Sequence, residues 1–135
     1  MRLSRMPLAA LCAAGALVAA ACASSAPQTE LTGTRWTVAT IGGQASVSPA
    51  PTIEFASDRI AGSGGCNRYF GTYSAADGAL SVSEIGATEM ACAPDVMARE
   101  AAFFAALSAT RSYSRLGDTL LLSDGSGGTI TLRAV

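Results

Sequence analysis

Beyond residue 30, apolar residues fall in short runs that alternate with polar ones or are β-branched, and Gly, Pro, Ser and Asp punctuate them. This is the pattern of a meandering antiparallel sheet, and about seven segments of strand character are expected. Trp36 and Val38 alternate with Thr37 and Ala39, and Ile53 and Phe55 alternate with Thr52 and Glu54, as in half-buried strands. Ser57 and Asp58 turn the chain into a run over 59–63, and a further run over 67–74 ends near Asp77 and Gly78. That dipeptide favours a tight hairpin because Gly takes positive φ without penalty, which predicts a return strand over 80–82. Later come 112–116, a Gly117–Asp118 turn, 119–122, a loop over 124–128 and a last strand over 129–133. One stretch changes period. From Pro94 or Asp95 to Ser108, the residues Val96, Met97, Ala101, Phe104 and Leu107 return to one side, which predicts an amphipathic helix. Pro94 suits its first turn, and Asp95 complements the helix dipole there. The expected fold is α+β and mainly β: a small curled antiparallel sheet or barrel-like domain of about seven strands, with the helix covering an open end.

The first 21 residues follow a different rule. Arg2 and Arg5 precede an uncharged run, rich in Ala and Leu, from Met6 to Ala21. This is the order of an export signal, and the run is short for a membrane span, which needs about 20 apolar residues. Ala19, Ala20 and Ala21 before Cys22 resemble a bacterial lipobox, although Ala19 stands where that pattern usually has Leu. The reading is a lipoprotein-type signal peptide over 1–21, a lipidated N-terminus and tether over 22–30, and one domain over 31–135. Lipidation on Cys22 would insert several acyl chains and make the anchor durable. An ordinary secretory signal cleaved near Ala21, leaving Cys22 a free thiol, is the alternative. The tether would span roughly 27 Å at full extension. Ala23 follows Cys22, where an inner-membrane retention signal would have Asp. The anchor is therefore expected in the outer membrane, facing the periplasm, if the bacterium has two membranes.

Composition narrows the chemistry. Every basic residue is Arg, so a His base, an imidazole metal ligand and a Schiff-base lysine are absent. The formal charge is −1, and −3 once Arg2 and Arg5 leave with the leader, which is no nucleic-acid footprint. Cys66 and Cys92 admit a structural disulfide, two reduced thiols, or a redox or metal pair. An oxidising compartment favours the first. Two thiols alone do not complete a zinc site, and their spacing is not that of a thioredoxin-like motif. Gly62, Gly64 and Gly65 lack the Lys and the strand-to-helix context of a phosphate loop, and read instead as a bulge or close strand crossing. Asn67 suits local hydrogen bonds that hold such a bend. Tyr69, Gly71 and Tyr73 share one strand face, while Phe70, Thr72 and Ser74 share the other. Arg35, Arg68, Arg111 and Arg115 read as solvated surface charges, with lipid head groups as a possible contact if they cluster.

The most specific stretch is Gly62-Ser63-Gly64-Gly65-Cys66-Asn67-Arg68-Tyr69-Phe70-Gly71-Thr72-Tyr73, with a partner in Thr88-Glu89-Met90-Ala91-Cys92. Together with Trp36, Ile53-Glu54-Phe55, Glu100 before Phe103 and Phe104, and Leu120-Leu121-Leu122, it resembles the META domain of HslJ-type heat-inducible lipoproteins. The resemblance runs from about Leu31 to Ala134 and gives Trp36, Gly65, Asn67, Phe70, Gly71, Tyr73 and Met90 as structural motif residues. It implies a stress-associated envelope protein and transfers no catalytic residue, metal or cofactor. Glu89 departs from the pattern, which commonly has Arg before the Met, and so removes the basis for a cation-based binding role there.

The expected function is a non-enzymatic envelope lipoprotein, monomeric, that supports the cell during heat or antibiotic stress by binding another envelope protein through a sheet edge or the helix rim. The alternative is a carrier of a lipid or small hydrophobic ligand inside the curled sheet.

Overall fold

A computed structural model describes residues 30–135. The expected leader, Cys22 and the tether up to residue 29 lie outside the described residues. The strands are β1 (Arg35–Ile41), β2 (Gln44–Ala45), β3 (Thr52–Phe55), β4 (Arg59–Ser63), β5 (Arg68–Ala76) and β6 (Ala79–Ala87), then helix α1 (Pro94–Ala109), then β7 (Ser112–Leu116), β8 (Thr119–Ser123) and β9 (Thr129–Ala134). Every pairing is antiparallel, in the order β2-β1-β3-β4-β5-β6-β7-β8-β9. β1 also pairs with β9, so the sheet closes on itself, with β2 a short addition to β1. Closure pairs strand edges that would otherwise stand open.

The seam between β6 and β7 is thin. Only Ala79 and Ser112 stand in register, supported by Leu80 N–H to Arg111 O (3.0 Å) and Tyr113 N–H to Gly78 O (2.8 Å). The chain between these strands is α1, which packs along β6 where the ladder ends. The helix starts without a side-chain cap but with Pro94 and Asp95 in its first turn, and Asp95 accepts from Arg99 at 2.9 Å. It ends at Thr110, where Arg111 Nη1 donates to the Thr110 carbonyl at 2.9 Å.

Alternation decides what points inward. Trp36 and Val38, Ile53 and Phe55, Tyr69 and Tyr73, Leu80 and Val82, Leu120 and Leu122, and Ile130 and Leu132 fill the ring, and Phe103 and Leu107 close it from the helix. Fully buried Leu31 plugs the other end, before β1 begins. There Gly33 N–H donates to Phe55 O at 2.7 Å, and Arg115 reaches the Glu30 carbonyl at 2.6 Å.

Three expectations need correction. The sheet has nine strands rather than about seven, and β6 runs to Ala87 instead of stopping at Val82. β2 is two residues long, too short to show alternation. In β6, Glu84 takes φ 54°, and the register with β5 shifts between Phe70 and Thr72, so a bulge breaks the period midway. The helix face is also rotated from the expected one. Its buried stripe is Glu100, Phe103 and Leu107, while Met97 and Ala101 are exposed and Val96 and Phe104 are half-buried. A stripe drawn through apolar residues alone passes over Glu100.

Candidate functional site

The polar residues of the two motif stretches gather where the 64–67 loop, the 88–92 segment and α1 meet. Gly64 is there because the helix is. A Cβ on it would lie 2.7 Å from Phe104 Cζ and 2.8 Å from Glu100 Cγ and Oε2. The close strand approach expected of these glycines holds at Gly62, where a Cβ would collide with the Thr52 carbonyl of β3, whereas at Gly64 the close neighbour is the helix. Gly65 adopts φ 116°, a conformation that favours glycine, and turns the chain into Cys66 and Asn67. Cys66 and Cys92 are joined in a disulfide, with Cα atoms 6.1 Å apart.

Asn67 is 3% exposed and uses its whole amide. Nδ2 donates to Glu100 Oε1 at 2.7 Å and to the Met90 carbonyl at 3.3 Å, while Oδ1 accepts from Met90 N–H at 2.6 Å and Thr88 Oγ1 at 3.0 Å. The expected role was a local bend. Its bonds instead tie together three segments distant in sequence. Glu100, 4% exposed, accepts from Asn67 N–H at 2.6 Å and Cys66 N–H at 2.9 Å on Oε2, besides the Asn67 amide on Oε1. Burial pushes its carboxyl up, but the three N–H donors together hold it below the usual carboxylate range.

The remaining motif residues divide between core and surface. Trp36 is buried, donates from Nε1 to Thr34 Oγ1 at 2.7 Å, and carries the Arg115 guanidinium 5.2 Å above its ring. Tyr73 donates to the Ala56 carbonyl at 2.5 Å, and Gly71 sits at the bulge, where a Cβ would lie 3.1 Å from Ser83 O. Tyr69 donates to Thr52 O at 2.8 Å and stacks edge-on against Phe103 and Phe104; burial pushes its phenol far up. Phe70 and Met90 face solvent, 57% and 56% exposed. The Phe70 ring lies across Gly86 of β6, where a Cβ would be 2.8 Å from Cζ. Met90 is held by its backbone, clamped on both polar atoms by Asn67.

Arg35, paired with Glu54 at 3.3 Å, and Arg68 line one open hollow beside Trp36, which Arg115 covers, while Arg111 caps the helix. An apolar cleft of about 120 Å³ lies between α1 and the residues after β1, lined by Ile41, Val47, Pro51, Gly65, Val96 and Ala102. Larger and more open hollows of about 280 and 360 Å³ lie along β5–β6 and along β1, β3 and β4. Among the described residues, no three His, Cys, Asp or Glu side chains gather as a metal site. Among them, too, no helix is long and apolar enough to cross a membrane.

The META domain pattern matches residues 29–134. The chain belongs to the META domain family. Its fold is similar to that of a protein from Burkholderia xenovorans solved by NMR, at 27% identity over 78% of this chain and 83% of that one, with a TM-score of 0.63. A second protein solved by NMR has 24% identity over 76% and 90% of the two chains, and the same TM-score of 0.63. A DUF4847 family protein from Bacteroides vulgatus shares the fold at 16% identity, 77% and 94% coverage, and a TM-score of 0.56. No curated protein matches the chain. Of the residues that make this META domain site, Glu100 is the one whose role sequence reasoning missed. The signal was its position, three before Phe103 and seven before Leu107, on the buried side of the helix.

Proposed function

We propose that this META domain protein is a non-enzymatic lipoprotein of the cell envelope, of a stress-associated type, that acts by binding another envelope protein with the surface around Phe70 and Met90. The observation that supports this reading is the exposure of two large apolar side chains, Phe70 and Met90, on braced backbone. Scattered apolar exposure is ordinary. These two residues differ in being braced, Phe70 over Gly86 and Met90 through Asn67 and the neighbouring disulfide. A braced ring and a fixed backbone lose less freedom on binding, and aromatic, Met and Arg side chains are enriched in interface cores. Arg68 stands two residues before Phe70 on the same outward face.

The anchor reading rests on Arg2, Arg5, the apolar run and the small residues before Cys22. Glu30 and Leu31 lie at the plugged end of the ring, while Ile41, at the far end of β1, meets the helix. A lipid on Cys22 would then hold the plugged end toward the membrane, outer-membrane and periplasm-facing in a two-membrane cell, and turn Met90 away from it.

Photocrosslinking groups at positions 70 and 90 in the membrane-bound protein, with position 121 as an exposed control, test the surface. The expected result is one partner adduct from 70 and 90 that is absent from 121, together with stress sensitivity of a Phe70→Ala, Met90→Ala strain equal to that of a deletion. Equal adducts at all three positions, or a deletion without a stress defect, would refute it. Intact mass of the protein from its native membrane tests acylation of Cys22. The second reading, a carrier of a lipid or small hydrophobic ligand, has the apolar cleft in its favour. At about 120 Å³ that cleft suits a single aliphatic group, whereas ligand sites usually span about 300 Å³ or more.

A further inference from the structure

Glu100 is an acid buried without a cation. The ion pairs among the described residues are Arg35–Glu54 and Arg99–Asp95, and neither involves it. Its charge is met by three N–H donors, two of them backbone groups of Cys66 and Asn67, and Cys66 is itself tied to Cys92. We propose that the Cys66–Cys92 disulfide, Asn67 and Glu100 form a latch on α1, in which the closed disulfide keeps the loop amides on the Glu100 carboxylate and opening it loosens the seating of the helix while that carboxylate is charged.

A backbone N–H cannot be re-aimed without moving its loop. While the bridge is closed, the 64–67 loop is fixed covalently to the segment that leads into α1, and its amides point at a carboxylate on that same helix. With the bridge open, the loop keeps only hydrogen bonds: Asn67 to Thr88 and Met90, Gly64 N–H to Asn67 O at 2.9 Å, and Gly65 N–H to Ser63 Oγ at 3.1 Å. Burial is the largest influence on the Glu100 carboxyl and opposes its charge. As the donors loosen, burial prevails, a proton is taken up, and the carboxyl accepts the N–H groups less strongly.

No neighbouring charge competes in this contact. The titratable group of β5 that packs on α1 is Tyr69, against Phe103 and Phe104, and burial keeps its phenol uncharged. On the helix, Arg99 is bonded to Asp95. Arg68 on β5 and Glu89 in the 88–92 segment are exposed. The sign follows. In the oxidised protein Glu100 is held below the ordinary range, so its contribution is present above that range and is lost only as pH falls below it. In the reduced protein that depression shrinks, so the contribution is lost where the carboxyl is charged, and the two forms converge as pH falls.

The opening step is a thiol–disulfide exchange with a dithiol reductant. A thiolate attacks Sγ of exposed Cys92 and Cys66 leaves as thiolate; the second thiol of the reductant then resolves the mixed disulfide. Two electrons pass to the protein, both cysteines end as thiols with two protons, and the reductant ends as a disulfide.

The inference does not depend on any partner, and it is tested on the mature protein with dithiothreitol as reductant. The Glu100 carboxyl is titrated by NMR, and amide exchange in α1 is followed at pH 3 and pH 7.5, for the oxidised, reduced and Glu100→Gln proteins. Expected are a rise of roughly one pH unit in the Glu100 midpoint on reduction and about tenfold faster helix exchange at pH 7.5 in the reduced form, with a much smaller ratio at pH 3, where the carboxyl is protonated in both. Glu100→Gln should abolish that pH dependence. If the reduced chain unfolds in buffer, the same titration in trimethylamine N-oxide, which favours the compact state, reads the folded form. A Glu100 midpoint that is unchanged on reduction overturns the latch.

Discussion

Replacing Asn67 with Asp changes one group, NH2 to oxygen, and keeps the side-chain shape. In the native protein Asn67 Nδ2 lies 2.7 Å from Glu100 Oε1 as a donor. The variant puts a second carboxylate oxygen at that place, where both residues are buried. Two unit charges so close repel by about 6 kcal/mol at an effective dielectric of 20. Taking one proton from solvent relieves the repulsion, and at pH 7 this costs about 3.5 kcal/mol for a carboxyl of ordinary affinity. Proton uptake is the smaller term, so the variant is expected to share one proton between the two acids and to lose about 3 kcal/mol of stability at pH 7.

The pH dependence is the discriminating part. Native Glu100 is held below the ordinary range, so lowering the pH removes its contribution. In Asn67→Asp the shared proton raises one folded-state value above the unfolded one, so lowering the pH restores stability. Urea denaturation at a series of pH values should show the gap between the two proteins closing by about 1.4 kcal/mol per pH unit down to around pH 4.5. The m-values should stay equal if both states keep their compactness. A gap of the same size at pH 7 and pH 5 would show that the two side chains do not face each other, and would refute the geometry.

Two further predictions address the same corner. Replacing Cys66 and Cys92 together by Ser reopens a loop of 26 residues and should lower stability by about 3.5 kcal/mol in chemical denaturation; thiol titration of the denatured, unreduced native protein should find neither cysteine reactive. Gly64→Ala forces a methyl within 2.8 Å of Phe104 and Glu100 and should cost about 2 kcal/mol, read as a lower Tm and a weakened near-UV signal from the Tyr69, Phe103 and Phe104 cluster.

The strands that alternate cleanly were legible because a pleated strand with one buried face writes its period into the chain. β1, β3 and β5 are examples, and Asp77–Gly78 turns with both residues at positive φ, as that dipeptide predicts. The second half of β6 was not legible, because the bulge at Glu84 shifts the period and leaves Ser83, Glu84 and Ala87 exposed. A curled or barrel-like sheet was legible, but not which strands close it. The β1–β9 ladder joins segments some 90 residues apart, and no local pattern encodes that register.

The site was illegible for a different reason, one that bears on how the fold is specified. Patterning assigns Glu to solvent, since burying an unpaired charge costs several kcal/mol. Glu100 escapes that penalty because the loop opposite it offers N–H groups, and the loop does so because Gly64 and Gly65 let the chain come close and turn. Each residue is unremarkable alone: two glycines, an Asn and an acid on a helix. Exchanging Gly64 for a residue with a side chain pushes the helix away, and exchanging Glu100 for an apolar residue leaves the Cys66 and Asn67 amides buried without acceptors. The glycines and the acid are thus mutually required although 35 residues or more separate them. An apolar core would accept many helix orientations, whereas three N–H donors aimed at one carboxylate accept one. On this argument the polar cluster sets the rotation of α1, and the apolar stripe then follows Glu100 rather than fixing it.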